Sequence, residues 1–204
     1  LDYCTENSID VVRRITGGKA VLHEKELTYS FIIDKDEMPR SIIESYKIIS
    51  SAIIQGLRTL GLNPEMNSSK VENRDNPVCF QEQSFNELTI NRKKFVGSAQ
   101  VRRNGKLLQH GSILTGINTE KHSSCFKEKP ATDDLRERIT YIDIPEEKLK
   151  SAIKQGFSVY FNTGLNEISL SNRELTEVNE LARMKYKPED WRYGVQSSLP
   201  KAYI

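Results

Sequence analysis

Between Ser41 and Gly61 the apolar residues Ile42, Tyr46, Ile49, Ile53, Leu57 and Leu60 recur at spacings of four, three, four, four and three. That period places them on one face of an α-helix. Ser41-x-x-Glu44 is a capping pattern that opens it, and Gly61 sits where a left-handed residue ends it. So long an apolar face must lie on a second apolar layer. The rest of the sequence offers one. Runs rich in Val, Ile, Tyr and Thr at 9–14, 19–23 and 27–33 read as strands, with Gly17-Gly18 supplying the positive φ of a tight connection. A second set at 87–90, 93–101 and 106–114 reads as a meander, turning at Asn91-Arg92 and at the hairpin dipeptide Asn104-Gly105.

The second half reads mainly as helix. A short one is expected at 133–139. A longer one has Pro145 at its first position and carries Leu149, Ile153, Phe157 and Tyr160. A third opens on the capping pattern Ser171-x-x-Glu174 and carries Leu175, Val178, Leu181 and Ala182. The polar stretches 63–78 and 119–134 read as loops. Strands early and helices late predict an α+β fold, a mixed and largely antiparallel sheet with packed helices. The 41–60 helix is expected to lay Ile42, Tyr46, Ile49 and Ile53 on that sheet.

Composition removes several classes of function. The 30 basic and 28 acidic residues leave a net charge of +2 with no basic stripe, so a nucleic-acid footprint is missing. No apolar run approaches the roughly 20 residues of a membrane-spanning helix. The start Leu1-Asp2-Tyr3-Cys4 has neither a signal-peptide pattern nor an initiator Met, and it reads as the start of a fragment. Three widely separated cysteines suit a reducing compartment, with the cytoplasm expected. Cys and His show no metal-ligand spacing, and no cofactor is expected.

The chemistry-bearing residues are few. Cys79 closes a polar loop ahead of a strand; a free cysteine is more often a small core hydrophobe than a nucleophile. Lys93 and Lys94 face opposite ways on a strand, so one points inward, where an ammonium is costly unless it meets a carbonyl, a carboxylate or a ligand. A solvated turn cluster is the blander reading of Arg92, Lys93 and Lys94. His23 and His110 interrupt apolar strands and fit paired core histidines as well as ligand contacts. Gly17-Gly18 lacks the spacing of a nucleotide loop.

The order of these motifs is more specific than any one of them. Arg13-Arg14-Ile15-Thr16-Gly17-Gly18-Lys19-Ala20-Val21-Leu22-His23 leads to Glu26-Leu27-Thr28-Tyr29-Ser30. Cys79-Phe80-x-x-x-Ser84-x-x-Glu87-Leu88 follows, then Lys94-x-x-Gly97-Ser98-Ala99-Gln100, Leu108-Gln109-His110-Gly111-Ser112-Ile113 and Lys185-Tyr186-x-x-x-x-Trp191. This series resembles the superfamily of biotin and lipoate protein ligases and lipoyl/octanoyl transferases, above all its LipM-type octanoyltransferase branch. Where that family carries Gly-Arg-Lys, this sequence has Arg92-Lys93-Lys94, and only twelve residues precede Arg13-Arg14. The resemblance therefore implies one catalytic domain over 1–204, shortened at its N-terminus.

It also implies a two-step acyl transfer. Cys79 would take an octanoyl group from acyl carrier protein as a thioester and pass it to a lysine of an apo lipoyl domain, such as a glycine-cleavage H protein. Lys94 would hold and polarise the acyl carbonyl. Arg14, Gly17, Gly18, His23, Gly97, Ser98, Ala99, His110 and Gly111 would form the substrate channel. The alternatives are a lipoate–protein ligase using free lipoate and ATP, an amidotransferase between lipoyl domains, and a non-catalytic binder of lipoyl domains. Neither a nucleic acid nor a membrane is expected as a partner.

Overall fold

In the computed structural model, residues 2–18, 20–67, 87–127 and 129–193 are described. The large sheet grows from one hairpin. Its arms, β5 (Val96–Arg103) and β6 (Lys106–Leu114), are joined by Asn104 and Gly105 at φ of 52° and 75°. Two positive φ values in a two-residue loop twist a hairpin the way its strands twist. β6 pairs along its whole length with β1 (Glu26–Asp34), from Glu26 opposite Leu114 to Asp34 opposite Lys106, giving the order β1-β6-β5. A second, small sheet has the order β2-β3-β4, from β2 (Glu65–Met66), β3 (Leu88–Ile90) and β4 (Lys93–Lys94). The turn into β4 holds Asn91 and Arg92 at φ of 51° and 64°. The strand expected at 93–101 is therefore two strands, broken at Phe95, with one piece in each sheet.

Alternation gives the large sheet two unlike faces. Leu27, Val96 and Ile113 pack into the main core with Ile53, Leu57 and Leu149 of two helices. These helices are α2 (Ile42–Thr59) and α5 (Glu146–Tyr160). The opposite face carries Glu26, Thr28, Gly97, Ala99, His110 and Ser112, as the strand register requires. In α2, Ile49, Ile53 and Leu57 are fully buried, but Ile42 is 45% exposed, contrary to expectation. Its first turn lies over the polar end of the sheet, where Ser45 Oγ donates to Gln100 Oε1 (3.1 Å) and receives Arg102 Nη2 (2.9 Å). α2 and α5 meet through matching Ala-x-x-x-Gly pairs, Ala52 with Gly56 and Ala152 with Gly156. A Cβ on Gly56 would stand 2.3 Å from the Ala152 carbonyl oxygen.

Other expectations are corrected. The described residues of 9–14 and 19–23 belong to no strand; among the described strands β1 pairs with β6 alone. The 9–14 segment is instead held by the C-terminal part of the chain. The indole N–H of Trp191, in α7 (Glu189–Tyr193), donates to the Arg13 carbonyl (2.8 Å), and Arg13 Nε donates to the Arg192 carbonyl (3.3 Å). The stretch read as a loop from 119 contains α3 (Thr119–Ser124), capped by Asn118, whose side chain accepts from Lys121 N–H (3.0 Å). The short helix is α4 (Thr132–Arg138), and Pro145 is the N-cap of α5, not its first residue. An unforeseen helix, α1 (Asp2–Glu6), buries Cys4. The second capping box forms in full on α6 (Asn172–Leu181), yet Leu175, Val178 and Leu181 remain about half exposed (45%, 51% and 49%).

His122 of α3 supplies a pH prediction. It is 2% exposed, and burial pushes its imidazole down to about 4. The unfolded chain, with an ordinary histidine near 6.5, then binds the extra proton first, so stability falls as pH drops from 6.5 toward 4. The full loss is about 3 kcal/mol for a shift of this size. Denaturant melts at pH 7.5 and 4.5 are expected to show it. A His122→Leu variant is expected to be less sensitive over that interval.

Candidate active site

The site residues are set by the sheet's polar face, the chain that crosses it, and the small sheet beside it. Thr16 reaches down from the crossing segment, and its Oγ1 is 2.7 Å from His110 Nε2 on β6. Arg14 Nη1 donates to the same hydroxyl (3.0 Å). Gly18 follows at φ 99°, a left-handed conformation open to glycine and strained for other residues. The segment then descends to β1, where His23 Nδ1 is hydrogen-bonded to Glu26 Oε1. Thr28 Oγ1 (2.9 Å) and Ser112 Oγ (2.8 Å) donate to that same carboxylate oxygen.

The two histidines are driven apart. Hydrogen bonding to the Glu26 carboxylate raises the His23 imidazole against the opposing effect of burial. Burial, with the Arg14 and His23 charges nearby, holds His110 below its usual value. Burial favours the neutral form of Glu26, but hydrogen bonds from His23 and Ser112 outweigh it and keep the carboxyl below the usual range. Near neutral pH the face thus carries an ionised Glu26 and an uncharged His110, which can accept a proton.

Lys94 is the most constrained of the expected residues. It is completely buried, and its ammonium is ion-paired with Glu87, whose side chain is 6% exposed. The solvated reading of the basic trio is excluded for this member. Lys93 takes the outward role, its Nζ donating to the Arg136 carbonyl (2.7 Å). The Lys94 backbone is also fixed, its carbonyl accepting from Thr140 N–H (2.8 Å). The ammonium is thus a fixed, desolvated positive charge beside the small sheet, a kind of group that can steady an acyl oxygen.

The nine expected channel residues divide between the two faces. Gly97, Ala99 and His110 share the polar face with the segment carrying Arg14, Gly17, Gly18 and His23. Ser98 and Gly111 lie on the helix side. There Tyr29 Oη is 2.7 Å from Ser98 Oγ, and a Cβ on Gly111 would come within 2.9 Å of the Tyr29 ring. Gln109 Nε2 donates to Tyr29 Oη (3.2 Å), and Gln100 Nε2 donates to Gln109 Oε1 (3.0 Å). Ser98 therefore belongs to a polar chain that fastens the strands from below, and Gly111 leaves room for the Tyr29 ring. Cys79 lies outside the described residues. Glu87 and Glu26 were not among the expected site residues. His23-x-x-Glu26 followed by Thr28 and Ser30, polar residues alternating on one strand, was the signal for Glu26.

Comparison with known proteins places the chain. Residues 1–161 match the lipoyl protein ligase A/B catalytic domain family. The octanoyltransferase LipM of Bacillus subtilis (strain 168) is 35% identical over 207 residues, covering 91% of this chain and 74% of that protein. The LipM of Geobacillus kaustophilus (strain HTA426) is 35% identical over 214 residues, covering 95% and 77%. Among solved structures, a crystal structure of lipoate-protein ligase A bound with ATP superposes with a TM-score of 0.80 at 28% identity, covering 95% of this chain and 75% of that one. By fold and by sequence, the chain belongs to the lipoyl protein ligase A/B catalytic-domain family and, within it, to the LipM-type octanoyltransferases.

Proposed function

We propose that this protein moves an octanoyl group from acyl carrier protein to a lysine of an apo lipoyl domain, such as a glycine-cleavage H protein, through a thioester on Cys79. Membership among octanoyltransferases makes it an acyltransferase of lipoate biosynthesis. The observation that carries the mechanism is the buried Lys94 ammonium. In the first step the Cys79 thiolate attacks the donor thioester carbonyl, and the carrier thiol leaves. In the second, the acceptor amine attacks the new thioester, and the Cys79 sulfur leaves with a proton from the amine. Both steps put negative charge on the same carbonyl oxygen. A fixed cation with its desolvation already met stabilises that charge without reorganisation. The small residues Gly97 and Ala99 of the polar face are proposed to bed the acyl chain, with His110 and the Gly17-Gly18 segment at its border. Burying such a tail contributes roughly 0.8 kcal/mol per CH₂.

One catalytic domain is proposed to carry both steps, in the cytoplasm; no helix among the described residues is long and apolar enough to cross a membrane. The likeness to a ligase bound with ATP supports a second reading, activation of free lipoate by ATP. Intact mass spectrometry after incubation with octanoyl-acyl carrier protein, without ATP, separates the two. A single octanoyl adduct is expected, absent in Cys79→Ser and discharged by apo lipoyl domain. Modification of the lipoyl domain by Cys79→Ser with lipoate and ATP would establish the ligase instead.

A further inference from the structure

Glu26 carries one oxygen more than the fold uses. Its side chain is 6% exposed, and Oε1 alone collects His23, Thr28 and Ser112. Oε2 is buried and has no hydrogen-bond partner among the described residues. A buried carboxylate oxygen without a donor is costly, and native structures avoid it unless something else supplies the donor. Neighbouring His23 is 59% exposed at its side chain, so the pair lies just below the surface.

The strand register places this oxygen near the chemistry. Glu26 is opposite Leu114, and Leu114 N–H donates to the Phe95 carbonyl (2.9 Å), one residue beyond Lys94. Glu26 and the Lys94 backbone thus stand at the same end of the sheet, about 10 Å apart by two interstrand spacings. An octanoyl chain has no N–H, and the amides of the carrier's arm are neutral donors. The acceptor lysine is the one reactant that brings a charged donor, and an ionised oxygen binds such donors most strongly.

We infer that Glu26 Oε2 accepts an N–H of the acceptor lysine's ε-amino group and aims it at the acyl carbonyl. Glu26 is then a positioning residue for the second half-reaction; the inference rests on the thioester reading above. His23 on Oε1 offsets the carboxylate's charge, so Oε2 can orient the amine without strongly favouring its protonated form. The ammonium gives its first proton to water, leaving a neutral amine with one N–H on Oε2 and its lone pair toward the thioester. The C–N bond forms as the C–S bond breaks, and the Cys79 sulfur leaves with the second proton.

The test uses hydroxylamine, a small nucleophile that cleaves thioesters from free solution and has no protein-borne side chain to be aimed. The full-length protein is loaded from octanoyl-acyl carrier protein and then discharged either by apo lipoyl domain or by hydroxylamine, with intact mass as the readout. In Glu26→Gln, discharge to the lipoyl domain is expected to slow at least 10-fold, while discharge by hydroxylamine keeps its wild-type rate. Equal slowing by both nucleophiles would mean a structural role and overturn the inference, as would no slowing at all. A defect confined to loading would assign Oε2 to the carrier's arm and overturn it too. Should the Gln variant not fold, Glu26→Asp, which keeps the charge but withdraws Oε2, is read the same way. Failure of the wild type to load at Cys79 is a different outcome; it removes the thioester reading, and the inference with it.

Discussion

Lys94→Met is expected to lower octanoyl transfer by about 10²- to 10³-fold, the usual effect of removing one stabiliser of a developing oxyanion. It is also expected to destabilise the fold by about 3–5 kcal/mol, because the Glu87 carboxylate stays buried without its partner. The two effects have separate causes, and a second substitution separates them. Adding Glu87→Leu removes the stranded carboxylate, and a buried pair replaced by apolar residues of similar volume is often as stable as before. The double variant is therefore expected to melt near the wild type while remaining inactive. Denaturant melts and transfer rates on the three proteins make the comparison. Recovery of activity together with stability would show that Lys94 serves the fold alone.

Gly156→Leu is expected to cost about 3 kcal/mol or more, at the upper end of what overpacking does. The reason is backbone against backbone. A Cβ at Gly156 would stand 2.4 Å from the Ala52 carbonyl oxygen and 2.4 Å from Gly56 N. No side chain can rotate away from such a contact, so α2 and α5 must separate. Separation opens the main core along Leu57, Leu149 and Ile153. Even Gly156→Ala meets the same clash, and the gain of about 1 kcal/mol from removing a helical glycine does not offset it. A fall in Tm of about 10 °C follows for a chain of this size. Gly164→Ala, with nothing within 4 Å of its added Cβ, is the control expected to leave Tm unchanged.

What could be read from residues alone depended on whether a signal was local. α2 announces itself because period, N-cap and C′ glycine agree over twenty positions. The β5–β6 hairpin does so because Asn104-Gly105 accepts two positive φ values. Residues 9–14 are extended in composition, but composition does not name a partner, and that segment answers to Trp191 near the other end of the chain. Ile42 fits the helical period and still faces water, because the sheet beneath that turn presents Gln100 and Arg102. α3 escaped notice because its six residues are too few to show a period, though Asn118 marked its start. For the site, alternation required one of Lys93 and Lys94 to point inward, but not which one, nor that Glu87 would meet it. Ser98 and Gly111 followed a shared motif into the expected channel, while their strand positions turn them to the helices.

Phe95 remains the joint on which the site hangs. Its N–H donates to the Leu88 carbonyl (3.3 Å) in the small sheet's frame, and its carbonyl accepts from Leu114 N–H (2.9 Å) in the large one. Phe95 is thus the step from β4, the strand carrying the cation, to β5, the strand carrying Gly97 and Ala99. A single residue therefore fixes the cation against the channel strand, while Leu88, Phe95, Val96 and Ile113 share one core beneath them. A shift at Phe95 would move the cation over the surface of Gly97 and Ala99, and with it the place where a carbonyl can be held above a chain lying there. For the acyl transfer proposed above, the span from that joint to the channel floor would set how long a chain fits with its carbonyl at Lys94.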